Sequence, residues 1–208
     1  MKSNSSNIGY EYNIALAKLL FDSFEKALSD KGQYHCYHEV YSHIFFKRTV
    51  RSFLEIGLFL SDHVPTTDLH AWADVFPDAK IYGADRKKHL LFNTEKISTF
   101  YVDQDSKESL EELKKNLPGK VDAILDDASH MFDKSINTFE SMYETVADGG
   151  VYMIEDILVN RTGADWEKHA QSAEQLIDYF SKSGLDYELF YTSATHRVGD
   201  SAVIAIYK

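Results

Sequence analysis

Two short apolar runs in this chain end abruptly in acid: residues 121–130 read VDAILDDASH and residues 151–156 read VYMIED. A strand buried on both faces should read as continuous Val, Ile and Leu. An acidic pair where such a strand emerges costs desolvation and repulsion unless water, a cation or a donor compensates. Two neighbouring strands ending this way at the same end would gather Asp126, Asp127, Glu155 and Asp156 beside one imidazole, His130. Ligands of open α/β sheets bind at the carboxyl ends of the strands, so this set outlines a metal-assisted active site. Hard oxygen ligands suit Mg2+, and Asp127, Glu155 and Asp156 supply them. His130 titrates near neutrality when unperturbed and is the expected general base for a hydroxyl. Each residue alone has a plainer use: Asp126 or Asp127 as a helix cap before Asp133, His130 as a hydrogen-bonded loop residue, Glu155 and Asp156 as solvated loop acids. Only the joint placement favours chemistry.

Three further runs end in a carboxylate or in carboxylate and glycine: LEIG at 54–57, GAD at 83–85 and VDQ at 102–104. A nucleoside lying across strand tips would use them separately. Gly57 lets backbone approach the ligand, Asp85 accepts from ribose hydroxyls, and Asp103 or Gln104 meets the adenine amino group. With Glu55, these are the candidate cofactor-binding residues. Asp85→Ala is therefore expected to weaken cofactor binding much more than it destabilises the fold.

The elements needed to hold these tips follow from hydrophobic period. Helical spacing runs through Ile14, Leu16, Ala17, Leu20, Phe21, Phe24 and Leu28 in 10–30, and again across 37–47. Strands are expected at 51–57, 80–85, 98–103, 121–126 and 150–155. Helices between them carry Leu69, Trp72, Ala73 and Phe76; then Leu110, Leu113 and Leu117 behind an Asp105/Glu108 capping box; then Ile136, Phe139, Tyr143 and Val146, closing at Gly149-Gly150. A helix with Trp166, Ala170, Ala173, Leu176, Ile177 and Phe180 follows the fifth strand. Strands at 186–192 and 201–207 finish the chain as an antiparallel edge. Alternating strand and helix means an α/β, doubly wound, mostly parallel sheet. The expectation is one structural domain: an N-terminal helical extension, 1–50, joined to an α/β domain, 51–208.

The composition narrows the partners. A formal net charge of −11 argues against nucleic acid, whose binding needs a basic footprint. The single cysteine, Cys36, excludes an intramolecular disulfide framework. His35, Cys36, His38 and His43 lack the second paired half of a zinc site. The polar start has no apolar run behind it, and no run approaches the ~18 residues of a membrane span. A cytoplasmic protein with no membrane insertion is expected, its N-terminal helices available for a homo-oligomer.

The order LEIG, IYGAD, DQD, DDASH, IED resembles the class I S-adenosylmethionine-dependent methyltransferases. More narrowly it is similar to the metal-dependent sugar O-methyltransferases of the mycinamicin deoxysugar and cephalosporin hydroxylase-like group, and DKGQYHCY at 30–37 resembles their entry segment. The likeness spans about 30–207. It implies a Rossmann-like, seven-stranded sheet, S-adenosyl-L-methionine and Mg2+ as cofactors, the same three metal carboxylates, and methylation of a sugar hydroxyl on a deoxysugar or glycan. Phe59 departs from the pattern, which has a glycine there; a bulky side chain at that point either crowds the methionine part of the cofactor or is turned away by a reshaped loop. Two rivals stay open: a catechol-like or other small diol as acceptor, and a non-catalytic binding protein on the same fold.

Overall fold

Asn13 caps the first helix, its side chain accepting from the backbone N–H of Ala15 and Leu16 as an N-cap should. The computed structural model describes residues 13–61, 64–65, 68–158 and 166–208, with 59–61 and 64–65 as backbone only; the Phe59 side chain therefore lies outside the described residues. In chain order the elements are α1 (Ile14–Lys26), α2 (Tyr37–Ile44), β1 (Ser52–Ile56), β2 (Phe59–Ser61), β3 (Val64–Pro65), α3 (Asp68–Val75), β4 (Lys80–Asp85), β5 (Ile97–Tyr101), α4 (Lys107–Asn116), β6 (Val121–Asp126), α5 (Phe132–Met142), β7 (Val146–Ile154), α6 (Glu167–Ser183), β8 (Asp186–Tyr191), α7 (Thr195–Val198) and β9 (Ala202–Tyr207).

The main sheet has seven strands in the order β5-β4-β1-β6-β7-β9-β8. The first five are parallel, and β9 runs antiparallel to both β7 and β8. This is the doubly wound sheet with an antiparallel edge that the sequence predicts. Strand side chains alternate between faces, and the core divides accordingly. Phe53, Ile81, Ala123, Leu125, Val151 and Met153 pack beneath α1, α2 and α3 around Trp72. Leu54, Ala84, Ile124, Tyr152, Ile154 and Ile204 pack beneath α4, α5 and α6 around Phe139 and Phe180. The N-terminal helices are thus part of one of the two layers covering the sheet.

Three local expectations change. The cap of α4 is Ser106, which accepts from the N–H of Ser109 at 3.2 Å; Asp105 instead pairs with Lys134 at 2.6 Å. Gly149-Gly150 does not end a helix but lies inside β7, where the β6–β7 register shifts. Gly149 takes φ 79° there, and a Cβ on Gly150 would stand 2.6 Å from the Asp122 carbonyl. A small β2–β3 hairpin and the short α7 carry no periodic signal that would mark them as elements. Among the described residues no helix is long and apolar enough to cross a membrane.

Candidate active site

The same alternation that builds the core sorts the acids. On β1, Phe53 faces the α1–α3 layer, so Glu55 does as well. On β7, Val151 and Met153 face that layer, and Glu155 follows them one step past the strand. On β6, Ile124 faces the other layer, and Asp126 goes with it. Asp127 and Asp156, the next residues, stand at the tips. The four carboxylates read as one cluster from sequence therefore divide into an inner acid on each face and two acids at the mouth.

The inner acids of the α1–α3 face meet a lysine. Lys31, on the turn between α1 and α2, is 1% exposed and places Nζ 2.5 Å from Asp127 Oδ2 and 2.6 Å from Glu155 Oε2. Glu55 Oε1 and Asp68 Oδ2 each lie 3.6 Å from the same nitrogen. Burial alone would lower the Lys31 pKa, but Asp127, Glu155, Asp68 and Glu55 together hold it well above the usual range. Asp127 is held ionised, below the ordinary carboxylate range: its burial is outweighed by Lys31 and His130. Burial pushes Glu55 and Glu155 well up despite Lys31. The other oxygen of Glu155 accepts from the Tyr41 hydroxyl.

On the opposite face Asp126, 1% exposed, accepts from Gln104 Nε2 at 2.9 Å, and Gln104 also donates to Thr138 Oγ1 at 2.9 Å. The second oxygen of Asp126 is buried without a hydrogen-bond partner. Burial pushes this carboxyl up to about 7, against the pull of His130 and Gln104.

At the mouth, His130 Nε2 lies 3.6 Å from Asp156 Oδ2, and both side chains are about one-quarter exposed. Burial would lower the His130 pKa, but Asp156, Asp127 and Asp126 raise it above the ordinary value. His130 and Asp156 take φ 53° and 55°, a left-handed conformation that is uncommon outside glycine and that clusters at functional sites. Tyr37 steadies the second of them, donating from its hydroxyl to Asp156 Oδ1 at 2.6 Å and accepting from the Asp156 N–H at 3.1 Å. Asp127, His130 and Asp156 each offer a ligand atom, and these atoms all lie within 4.8 Å of one another. Such a donor set fits a divalent cation. Glu155 stands behind it; each of its oxygens has one partner and keeps a second lone pair.

Beside this mouth a cavity of about 450 Å3 runs along the strand tips, lined by Gly57, Asp85, Asp103, Asp127, His130 and Asp156, with Gln104 at its wall. That volume suits a cofactor. Asp85 does more than face it: its oxygens accept from Leu58 N at 2.8 Å and Lys87 N at 2.6 Å, tying the loop after β1 to the end of β4. Losing it therefore costs some stability in addition to the affinity loss expected from sequence. Asp103 accepts from Asp105 N at 3.1 Å. Gly57, at φ 99°, is needed for a reason internal to the protein, since a Cβ there would stand 2.1 Å from the Asp127 carbonyl. Glu55, expected at the cofactor, is instead buried beside Lys31. Lys31, Tyr37 and Tyr41 hold the carboxylates of Asp127, Glu155 and Asp156; the sequence singles out their segment by its resemblance to the entry segment but does not say which acids they meet. A signal for the lysine is present in β1 and β7: two glutamates on the same buried face require a cation from the layer above.

No family model matches the chain. Among curated relatives, the 8-demethyl-8-(2-methoxy-alpha-L-rhamnosyl)-tetracenomycin-C 3'-O-methyltransferase of Streptomyces olivaceus is 31% identical over 135 residues, covering 62% of this chain and 34% of that protein. The 8-demethyl-8-alpha-L-rhamnosyl tetracenomycin-C 2'-O-methyltransferase of the same organism is 27% identical over 133 residues, covering 62% and 35%. The matched part is about a third of the length of these relatives. In structure, the chain is similar to the MycE methyltransferase of the mycinamycin pathway, solved with Mg, SAH and mycinamycin VI: TM-score 0.69, 22% identity, covering 91% of this chain and 54% of that one. A putative caffeoyl-CoA O-methyltransferase from Staphylococcus aureus gives TM-score 0.59 at 13% identity, covering 82% of both chains. At these identities the likeness establishes the fold alone, a seven-stranded mixed sheet of the kind found in these two methyltransferase structures.

Proposed function

We propose that this protein is an S-adenosylmethionine-dependent, Mg2+-dependent O-methyltransferase acting on a sugar hydroxyl. The observation that carries the reading is the joining of two features at one sheet edge. Carboxylate oxygens of Asp127 and Asp156 and a ring nitrogen of His130 lie within 4.8 Å of one another, two anionic ligands for a cation with the base beside them, and they open onto the cavity that Gly57, Asp85 and Asp103 line. The rhamnosyl acceptors in the names of the two tetracenomycin relatives favour a carbohydrate over a catechol-like diol.

Asp127 and Asp156 are the proposed metal-holding carboxylates, with Glu155 behind them as the third. Mg2+ is commonly held by one or two carboxylates and keeps waters that substrate oxygens replace. When bound, the cation would lower the pKa of a chelated hydroxyl, and S-adenosylmethionine would supply the methyl group. The chain's own residues do the rest. His130 Nδ1 is buried without a partner, so Nε2 is the nitrogen that receives the hydroxyl proton. Asp156, 3.6 Å away, stabilises the imidazolium that results. The β4 and β5 tips orient the nucleoside, so that attack is in line and the encounter is effectively unimolecular. The lone cysteine accords with a cytoplasmic setting.

Calorimetry with S-adenosylmethionine, with and without Mg2+, tests the reading. Binding in the micromolar range, followed by Mg2+-dependent methyl transfer to a rhamnoside, is the expected result. No cofactor binding would leave the non-catalytic alternative, and transfer to a catechol alone would replace the sugar.

A further inference from the structure

Lys31 sits where the proposed reaction has no use for it. It neither lines the cavity nor contacts the mouth's imidazole, yet it is the one fully buried lysine or arginine among the described residues. Its turn is fastened independently of its side chain: the Lys31 carbonyl accepts from Tyr37 N at 2.9 Å, the Gly32 carbonyl from Cys36 N at 2.9 Å, and Lys31 N donates to Ser29 Oγ at 3.2 Å.

An ammonium has three donors. Two are spent on Asp127 and Glu155 at 2.5 and 2.6 Å. The third direction holds Glu55 and Asp68, each at 3.6 Å, beyond hydrogen-bond distance. Glu55 is 1% exposed, and neither of its oxygens has a hydrogen-bond partner. Glu55, Asp68 and Asp127 offer carboxylate oxygens that all lie within 4.8 Å of one another. Hard oxygens so spaced are what a divalent cation takes, and the space among them is filled by Lys31 Nζ.

We infer that Lys31 is a resident cation: its ammonium takes the place of a second divalent ion among Glu55, Asp68 and Asp127, and its grip on Asp127 and Glu155 leaves the mouth as a site for one metal. Lys31 is thus a positioning residue, acting through the two carboxylates it holds. The inference deepens the metal reading made above and rests on it for the outer site only.

The experiment counts ions. Mn2+ serves as the probe for Mg2+, with free Mn2+ read by electron paramagnetic resonance against full-length protein. Melting temperatures are recorded in EDTA and in millimolar Mn2+. Wild type is expected to bind one Mn2+ per chain, Lys31→Ala two, and Lys31→Arg one, because the guanidinium restores the charge. Lys31→Ala is also expected to melt well below wild type in EDTA and to recover more than wild type does when Mn2+ is added, since an ion bound only by the native state stabilises it. A folded Lys31→Ala that binds the same number of ions as wild type would overturn the inference. So would a variant that stays unfolded at every Mn2+ concentration, whereas one that folds only with Mn2+ supports it. If wild type binds none, the outer site fails. The inference on Lys31 then stands or falls on whether Lys31→Ala gains one.

Discussion

Replacing Asp126 by Asn should make the protein more stable at pH 8 and progressively less advantaged as the pH falls towards 5. The carboxyl is 1% exposed, with one oxygen bonded to Gln104 Nε2 and the other without a partner. Burial raises its pKa to about 7, whereas in an unfolded chain it titrates near about 3.9. The native state thus holds the proton where the unfolded state has lost it. Below about pH 4 both states are protonated and the group imposes no penalty. Between about pH 4 and 7, stability falls by about 1.4 kcal/mol per pH unit, and above pH 7 the loss levels off. The ceiling is about 4 kcal/mol, of which about 3 kcal/mol develops between pH 5 and 8.

The substituted amide carries no charge at any of these pH values. It keeps an acceptor for Gln104, so the variant-minus-wild-type difference isolates the ionisation. Urea unfolding followed by circular dichroism at pH 5, 6, 7 and 8 measures it. EDTA is included because a cation at Asp127 would pull the neighbouring carboxyl down. A difference that rises with pH by about 3 kcal/mol is expected. A flat difference, or one that falls with pH, would refute the argument and mean that Asp126 finds a donor in solution for its second oxygen.

Two further substitutions separate scaffold from chemistry. Asp85→Ala removes the acceptor of Leu58 N and Lys87 N and should cost about 1–3 kcal/mol for the buried Leu58 donor, together with a marked loss of S-adenosylmethionine affinity. An unchanged urea midpoint would remove the strut role, and an unchanged dissociation constant the cofactor role. His130→Ala should lower kcat by about 10²–10⁴-fold while barely moving cofactor affinity. The imidazole titrates above an ordinary histidine in the metal-free protein, and the wild-type rate should rise with pH through a lower value, because a cation on Asp127 and Asp156 offsets the charges that raise it. Asp156, Asp127 and Asp126 hold the proton on against the effect of burial, and only neutral imidazole accepts one. A variant keeping most of its kcat would defeat the assignment.

The strand tips are legible in the sequence because acid at the end of an apolar run is a strong local signal; Asp127, His130, Asp156, Asp85 and Asp103 all come to one sheet edge. What period-2 alternation does to adjacent acids is equally available from sequence, yet it is easily overlooked. It sends Asp126 to one face and Glu155 to the other, so the four acids cannot form one ring. Gly149-Gly150 misleads for a different reason. A helix stop and a strand bulge use the same positive-φ glycine, and only pairing with β6 decides between them. Tyr37 and Tyr41 read as core by spacing, which they are, being 1% and 0% exposed. Their hydroxyls meet Asp156 and Glu155 across more than a hundred residues of sequence, and spacing carries no such information.

That long-range contact gives α2 a second task besides covering the sheet. A non-glycine residue at positive φ costs of order 1–3 kcal/mol and persists only when its surroundings over-determine it. Asp156 is held in this way by Tyr37, whose hydroxyl both receives the residue's N–H and donates to its carboxylate. Tyr37 is itself fixed by stacking on His35 at 5.0 Å with 4° between the planes, and His35 is tied through Nδ1 to Ser201 Oγ at 2.9 Å. Tyr37 stands one helical turn before Tyr41, which bonds Glu155, and shortly after Lys31, which bonds Glu155 and Asp127. It thereby completes a row of polar groups from one short segment. All of them act on the carboxylates that β6 and β7 deliver. The sheet brings the acids to its edge; the segment from Lys31 to Tyr41 sets where each of them points.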